Sequence, residues 1–158
     1  MPLTNPASVI VYPKVGARRT SNQSLTLNGV TQLVYNSEDY DDYNIYNASN
    51  GNIILTSSTE GHYNLEASVT ANYSHSTNNG LAVLALVAFK NGSNYSEIGR
   101  ATETGVGNLD IGASGSLLFP NLVAGDIITV RVSTTYISGG SINMIASAKN
   151  HLSFFKLP

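Results

Sequence analysis

The sequence predicts an all-β chain, a sandwich, jelly roll or barrel, on three observations. Tyr63, Leu65, Ala67, Val69, Ala71 and Tyr73 alternate with His62, Asn64, Glu66, Ser68, Thr70 and Asn72, and Ile128, Val130 and Val132 alternate with Thr129, Arg131 and Ser133. Such a period of two belongs to strands with one dry face. Short apolar runs are separated by turn signals such as Asn28-Gly29, Asn50-Gly51, Asn78-Asn79-Gly80 and Asn91-Gly92. No helical period persists beyond a turn, and about eight to ten short strands fit the chain.

The elements follow in order. Met1 to Arg19 carries Pro2, Pro6 and Pro13, the apolar run Val9 to Tyr12, and the basic residues Lys14, Arg18 and Arg19. Proline at that density forbids a helix and limits any strand to an edge, so residues 1–20 are expected as an extended N-terminal arm and 21–158 as the folded domain. Leu25 to Tyr35, turning at Asn28-Gly29, fits a hairpin. Ile53-Ile54-Leu55 is a short strand, and the alternating strand of 62–73 follows Glu60-Gly61. Asn78-Asn79-Gly80 then turns that strand into a hairpin with Leu81 to Phe89, nine apolar residues without a polar break. A run that short cannot cross a bilayer as a helix, which takes about 20 residues. Both of its faces want to be dry, so one is expected in the core and the other against a second layer or a second subunit. Ser93 to Gly115 is polar and rich in glycine. Ser116 to Phe119, Ile128 to Val132, Ile142 to Ala148 and Leu152 to Leu157 complete the strands, with a turn at Ser138 to Ser141.

Composition narrows the function. A length of 158 residues suits one domain with one core. Charged residues are 11% of the chain, under half the usual share of about 25%. Solubility therefore rests on Asn, Ser, Thr, Gly and Tyr, a surface suited to a durable secreted, cell-wall or virion protein. A net charge of −2 supplies no long-range field for nucleic acid. No cysteine is present, so no disulfide, thiolate or Cys-based zinc chemistry is available. The N-terminus lacks the basic start and apolar core of a secretory signal.

Catalytic patterns are weak. His62, His75 and His151 share no metal-binding spacing, and Gly112-Ala113-Ser114-Gly115 misses the Gly-x-Ser-x-Gly elbow. No enzyme, cofactor or metal is expected. Glu38, Asp39, Asp41 and Asp42 crowd into five residues but match no EF-hand loop, so they read as a solvated acidic loop. Tyr40, Asp41 and Tyr43 make the candidate contact for a glycan, the ring faces stacking on sugar and the carboxylate bonding hydroxyls.

Tyr46, Gly51-Asn52-Ile53 and Gly61-His62-Tyr63-Asn64-Leu65 together form a recognisable pattern. With them go Leu84-Ala85-Leu86 before Asn91-Gly92, Leu117 to Val130 around Gly125-Asp126, and the closing Ser153 to Leu157. The whole resembles the globular head of the complement C1q/tumour necrosis factor superfamily. The resemblance implies a ten-stranded jelly-roll sandwich that assembles as a homotrimer, with Tyr63, Leu65, Leu84, Leu86 and Phe154 at the subunit contact. No collagen-like stalk is present. A free-standing trimer with a low-charge surface is expected to be a virion structural protein on the capsid surface, a decoration or cement protein of a bacteriophage. Its partner would be the major capsid protein, gripped by Tyr12, Lys14, Arg18 and Arg19 of the arm. The alternative is a receptor-binding head of a tail fibre that recognises cell-surface carbohydrate; neither nucleic acid nor membrane is an expected partner.

Overall fold

A computed structural model of the chain describes residues 11–135 and 140–158, and of 75–80 and 106 it describes the backbone alone. The arm before Val11, the His75 side chain and the Ser138-Gly139 part of the expected turn lie outside the described residues. Every regular element is a strand: β1 Lys14–Arg19, β2 Gln23–Ser24, β3 Val30–Gln32, β4 Ser37–Asp41, β5 Tyr46–Asn47, β6 Asn52–Ile54, β7 Gly61–Lys90, β8 Ser93–Leu122, β9 Ile127–Thr135, β10 Ser141–Met144 and β11 Ser147–Lys156.

Two strands of 30 residues, β7 and β8, organise the molecule. They pair antiparallel along nearly their whole length, with the register shifting between His75 and Gly80. At that point both pass from one layer of a sandwich to the other. In the first layer the order is β4, β1, β11, the 61–75 half of β7 and the 107–122 half of β8. In the second, the 80–90 half of β7 lies between the 93–105 half of β8 and β9, which also carries β3 and β6. Short β10 continues the first layer beside residues 71–74 and takes β2 on its far side.

Period two fills the space between the layers. Tyr63, Leu65, Ala67, Val69, Ala71 and Tyr73 point inward from one half of β7, and Ala82, Leu84, Leu86 and Ala88 from the other. The Tyr63 and Phe154 rings stack at 4.4 Å between centroids, within 6° of parallel.

Three expectations are corrected. Residues 61–74 and 81–90 do not form a hairpin with each other. They run end to end as β7 and each pairs with its own half of β8, so 25 register pairs with β8 outweigh a local turn signal. Residues 24–35 make no hairpin ladder either, because β2 joins β10 in one layer and β3 joins β9 in the other, though Asn28 does take the left-handed turn conformation. Residues 82–88 of the Leu81–Phe89 run are buried by a single chain, while Leu81 and Phe89 at its ends are half-buried. Its even face is in the core, and Val83, Ala85 and Val87 on its odd face are only 7%, 5% and 7% exposed between the side chains of β8 and β9. That strand therefore creates no demand for a second subunit.

Candidate functional site

The first layer turns its second face outward, and the residues on it are those that alternate with the core. Register pairs lay it out in rows. Leu118, Asn64, Phe155 and Lys14 form one, and Ser116, Glu66, Ser153, Gly16 and Tyr40 the next; in the third, Ser114 pairs with Ser68 and His151 with Arg18, the two pairs joined by a bond from the His151 N–H to the Ser68 hydroxyl. Five of these thirteen are serine or glycine, and the rest are larger. Leu118 stands 52% exposed among them, and Tyr40, 42% exposed, lies flat over Gly16, where any Cβ would collide with its ring.

A recess of about 460 Å³ opens on this face, lined by Ser68, Thr70, Gly112, Ser114, Lys149 and His151. Its origin is a gap in strand pairing. The β11 ladder with β7 stops at Leu152–Ala67, and β10 takes over only at Met144–Ala71. Between them side chains replace the backbone. Asn150, fully buried, accepts from the Thr70 N–H and donates to the Thr70 and Ile145 carbonyls. The Ser68 hydroxyl donates to the Lys149 carbonyl and accepts from the His151 N–H at 3.1 Å, while His151 Nδ1 lies 2.8 Å from it. Ser68 thus ties β11 to β7 across the gap. Among the described residues no group of three or more His, Asp or Glu side chains is placed to hold a metal.

The five residues expected at the subunit contact, Tyr63, Leu65, Leu84, Leu86 and Phe154, are all 0% exposed within one chain. They build the chain's own core and cannot touch a neighbour, so the contact, if it uses these strands, belongs to the alternating set. The arm expectation changes as well. From Lys14 onward it is β1, an interior strand between β11 and β4 with Val15 and Ala17 buried. Lys14 pairs with Asp42 at 3.8 Å, Arg18 with Asp39 at 3.1 Å, and Arg19 donates to the Ser21, Asn22 and Val34 carbonyls. Tyr12 remains exposed, and the Tyr43 hydroxyl holds the chain there by donating to the Val11 carbonyl at 3.0 Å.

The acidic run covers most of β4 and the residue after it, and three of its four carboxylates already have partners. Asp39 and Asp42 are the counter-charges just named, and Asp41 accepts the Ile45 and Tyr46 N–H groups at 3.1 and 2.8 Å. Tyr40 and Tyr43 keep a third or more of their surface open. The sequence reading missed Leu118, Ser114, Ser116 and the recess. A signal for the first three was present, since they alternate with buried Ile111, Ala113 and Phe119. None existed for the recess, which depends on where two distant strands part.

No protein-family model matches the sequence, and no curated protein is similar to it at the level of sequence. Solved structures do match in fold. Murine APRIL at pH 8.5 aligns with a TM-score of 0.59 and 16% identity over 93% of this chain and 100% of that one. Murine APRIL at pH 8.0 aligns with 0.59 and 15% over the same shares. The globular domain of zebrafish complement 1qA protein gives 0.59 and 12% over 94% and 98%. At these identities the likeness is one of architecture, and the architecture is the C1q/tumour necrosis factor-like jelly roll.

Proposed function

We propose that the chain acts through assembly with itself, as a homotrimeric, non-enzymatic structural protein that decorates the capsid of a bacteriophage. The observation that supports assembly is the outward face of the first layer, where Leu118 and Tyr40 are about half exposed and offer a second copy apolar surface to cover. Closed threefold symmetry buries such a face without leaving a sticky edge. The low charge of the chain suits a passive, durable shell component. Contact with the shell falls to Tyr12 and the chain leading to it, because Lys14, Arg18 and Arg19 already have partners within the chain.

Solution mass and particle binding test this reading. A mass about three times 16.7 kDa, with binding to undecorated capsids that is lost when the chain begins at Pro13, supports it. A monomer, or a trimer that ignores capsids, overturns it. Exposed Tyr40 and Tyr43 favour the second reading, a head that recognises glycans. It gains the field if a glycan array gives hits that Tyr43→Ala abolishes.

A further inference from the structure

The outward face of the second layer carries two polar atoms that the fold leaves without partners. Thr129 and Arg131 lie two residues apart on β9, alternating with the core residues Ile128, Val130 and Val132. Thr129 Oγ1 and Arg131 Nε are both buried, and neither has a hydrogen-bond partner; Thr129 as a whole is 95% buried, being 5% exposed. The Arg131 guanidinium carbon sits 4.1 Å from the centroid of the Phe89 ring, and Phe89 is the register partner of Thr129. Phe89 therefore adjoins both residues, one through its ring and the other through the ladder.

A buried donor without an acceptor costs about 1–3 kcal/mol. Two on the same strand face are a cost that a ligand can repay. The other arginines contrast with Arg131: Arg18 has Asp39, Arg19 has three carbonyls, and Arg100 holds Glu97 through two contacts of 3.1 and 2.6 Å. Glu97, across Val87 from Arg131, is therefore already taken. Among the described residues no other carboxylate is paired with Arg131.

We propose that Arg131, Thr129 and Phe89 form a binding site for a carboxylate group on the outward face of the second layer. The planar fork of Nε–H and Nη–H matches a carboxylate in two parallel bonds, which a lysine cannot imitate. The Thr129 hydroxyl supplies a third donor, and Phe89 holds the guanidinium in place through cation–π attraction. Ile127, on the same strand, and its register partner Ile54 are exposed beside the site and offer an apolar shelf for the carbon body that carries the carboxylate. Such a group occurs on acidic sugars and at peptide C-termini. The site lies on the opposite layer from the assembly face, so it is independent of the assembly reading.

The test is titration of the intact protein with sodium glucuronate, N-acetyl-leucine and glucose, followed through the Arg131 Nε–H resonance. Both carboxylates should move that resonance at millimolar concentration and glucose should not. Tighter binding of glucuronate points to an acidic sugar, and of N-acetyl-leucine to a peptide end. Arg131→Lys keeps the charge but loses the fork, and Thr129→Val keeps the shape but loses the hydroxyl; each should weaken binding about tenfold while leaving the circular dichroism unchanged. An unmoved resonance, an equal response to glucose, or unchanged affinity in both variants overturns the site. Sizing the same samples reports assembly separately, so a monomer that binds and a trimer that does not are distinguishable outcomes.

Discussion

Several of the buried side chains do the work of backbone, and their ionisation sets the pH range of the fold. The Tyr46 hydroxyl donates to the Tyr35 carbonyl at 2.8 Å and accepts the Tyr35 N–H at 3.1 Å, closing a place where no strand partner exists. Burial pushes the Tyr35 and Tyr46 phenols up, and it pushes Tyr63 up to about 12 against the opposing hydrogen bond with Thr59. A folded value above the unfolded one, about 10, means that the stability is complete below pH ~10 and is lost as pH rises towards the folded values. Urea midpoints should therefore fall as pH is raised from about 10 to 12, and less steeply in Tyr63→Phe. Asp126 works at the acid end. Burial acts to raise its carboxyl, but the Lys90 ammonium at 2.8 Å, the Val123 N–H and the Asn91 amide outweigh that and hold it below its usual value. Its contribution is present above pH ~4 and is lost as pH falls through the lowered folded value. Asp126→Asn should cost about 2–3 kcal/mol at neutral pH, a gap that urea unfolding should show closing as the wild-type carboxylate protonates.

Close approach of the two halves of β8 depends on glycine. A Cβ on Gly99 would run into the Ser114 carbonyl, and one on Gly115 into the Ile98 carbonyl, so the layers meet backbone to backbone at this edge. Gly112, by contrast, would set its Cβ at an ordinary 3.5 Å from the Val69 carbonyl oxygen. Alanine at 99 or 115 should lower the unfolding free energy by about 2 kcal/mol or more, and alanine at 112 by under about 1, measured by urea denaturation. The strands themselves were legible, since 62–73 and 128–132 announce their period in any reading. Pairing was not. Asn78-Asn79-Gly80 is a sound local turn signal that long-range register with β8 overrides, and the acidic run 38–42 finds its meaning only beside β1, some 20 residues earlier. Alternation also reveals which residues share a face without revealing which face is inside. For that reason Leu65 and Leu86 were expected at a contact while Leu118 and Ser114 were passed over. An acidic residue at Leu86 would unfold one chain and say nothing of how many associate.

Assembly has one further physical ground in the molecule as a whole. Among the described residues β8 pairs with β7 alone, so no described strand bonds along its other edge. Long open edges invite indiscriminate pairing unless charges, proline or a neighbour cover them. Here Glu97, Arg100, Glu103, Asp110 and Pro120 discourage strand addition, which leaves docking of a specific partner as the compatible way to cover the edge. A neighbour that sets such an edge against the flat first-layer face would meet Leu118 near one end and Ser114 beside the recess. Leu118→Glu and Ser114→Arg place charge and bulk on that face without touching the core, because both side chains are already exposed. Val123→Glu, at an equally exposed position on the β8–β9 turn, is the control. On a sizing column with light scattering, the first two should shift the mass towards the 16.7 kDa of one chain with an unchanged circular dichroism spectrum, while the control keeps the wild-type mass. If both face variants hold the wild-type oligomer, the copies meet elsewhere, and the half-exposed leucine and its neighbours belong to some other contact.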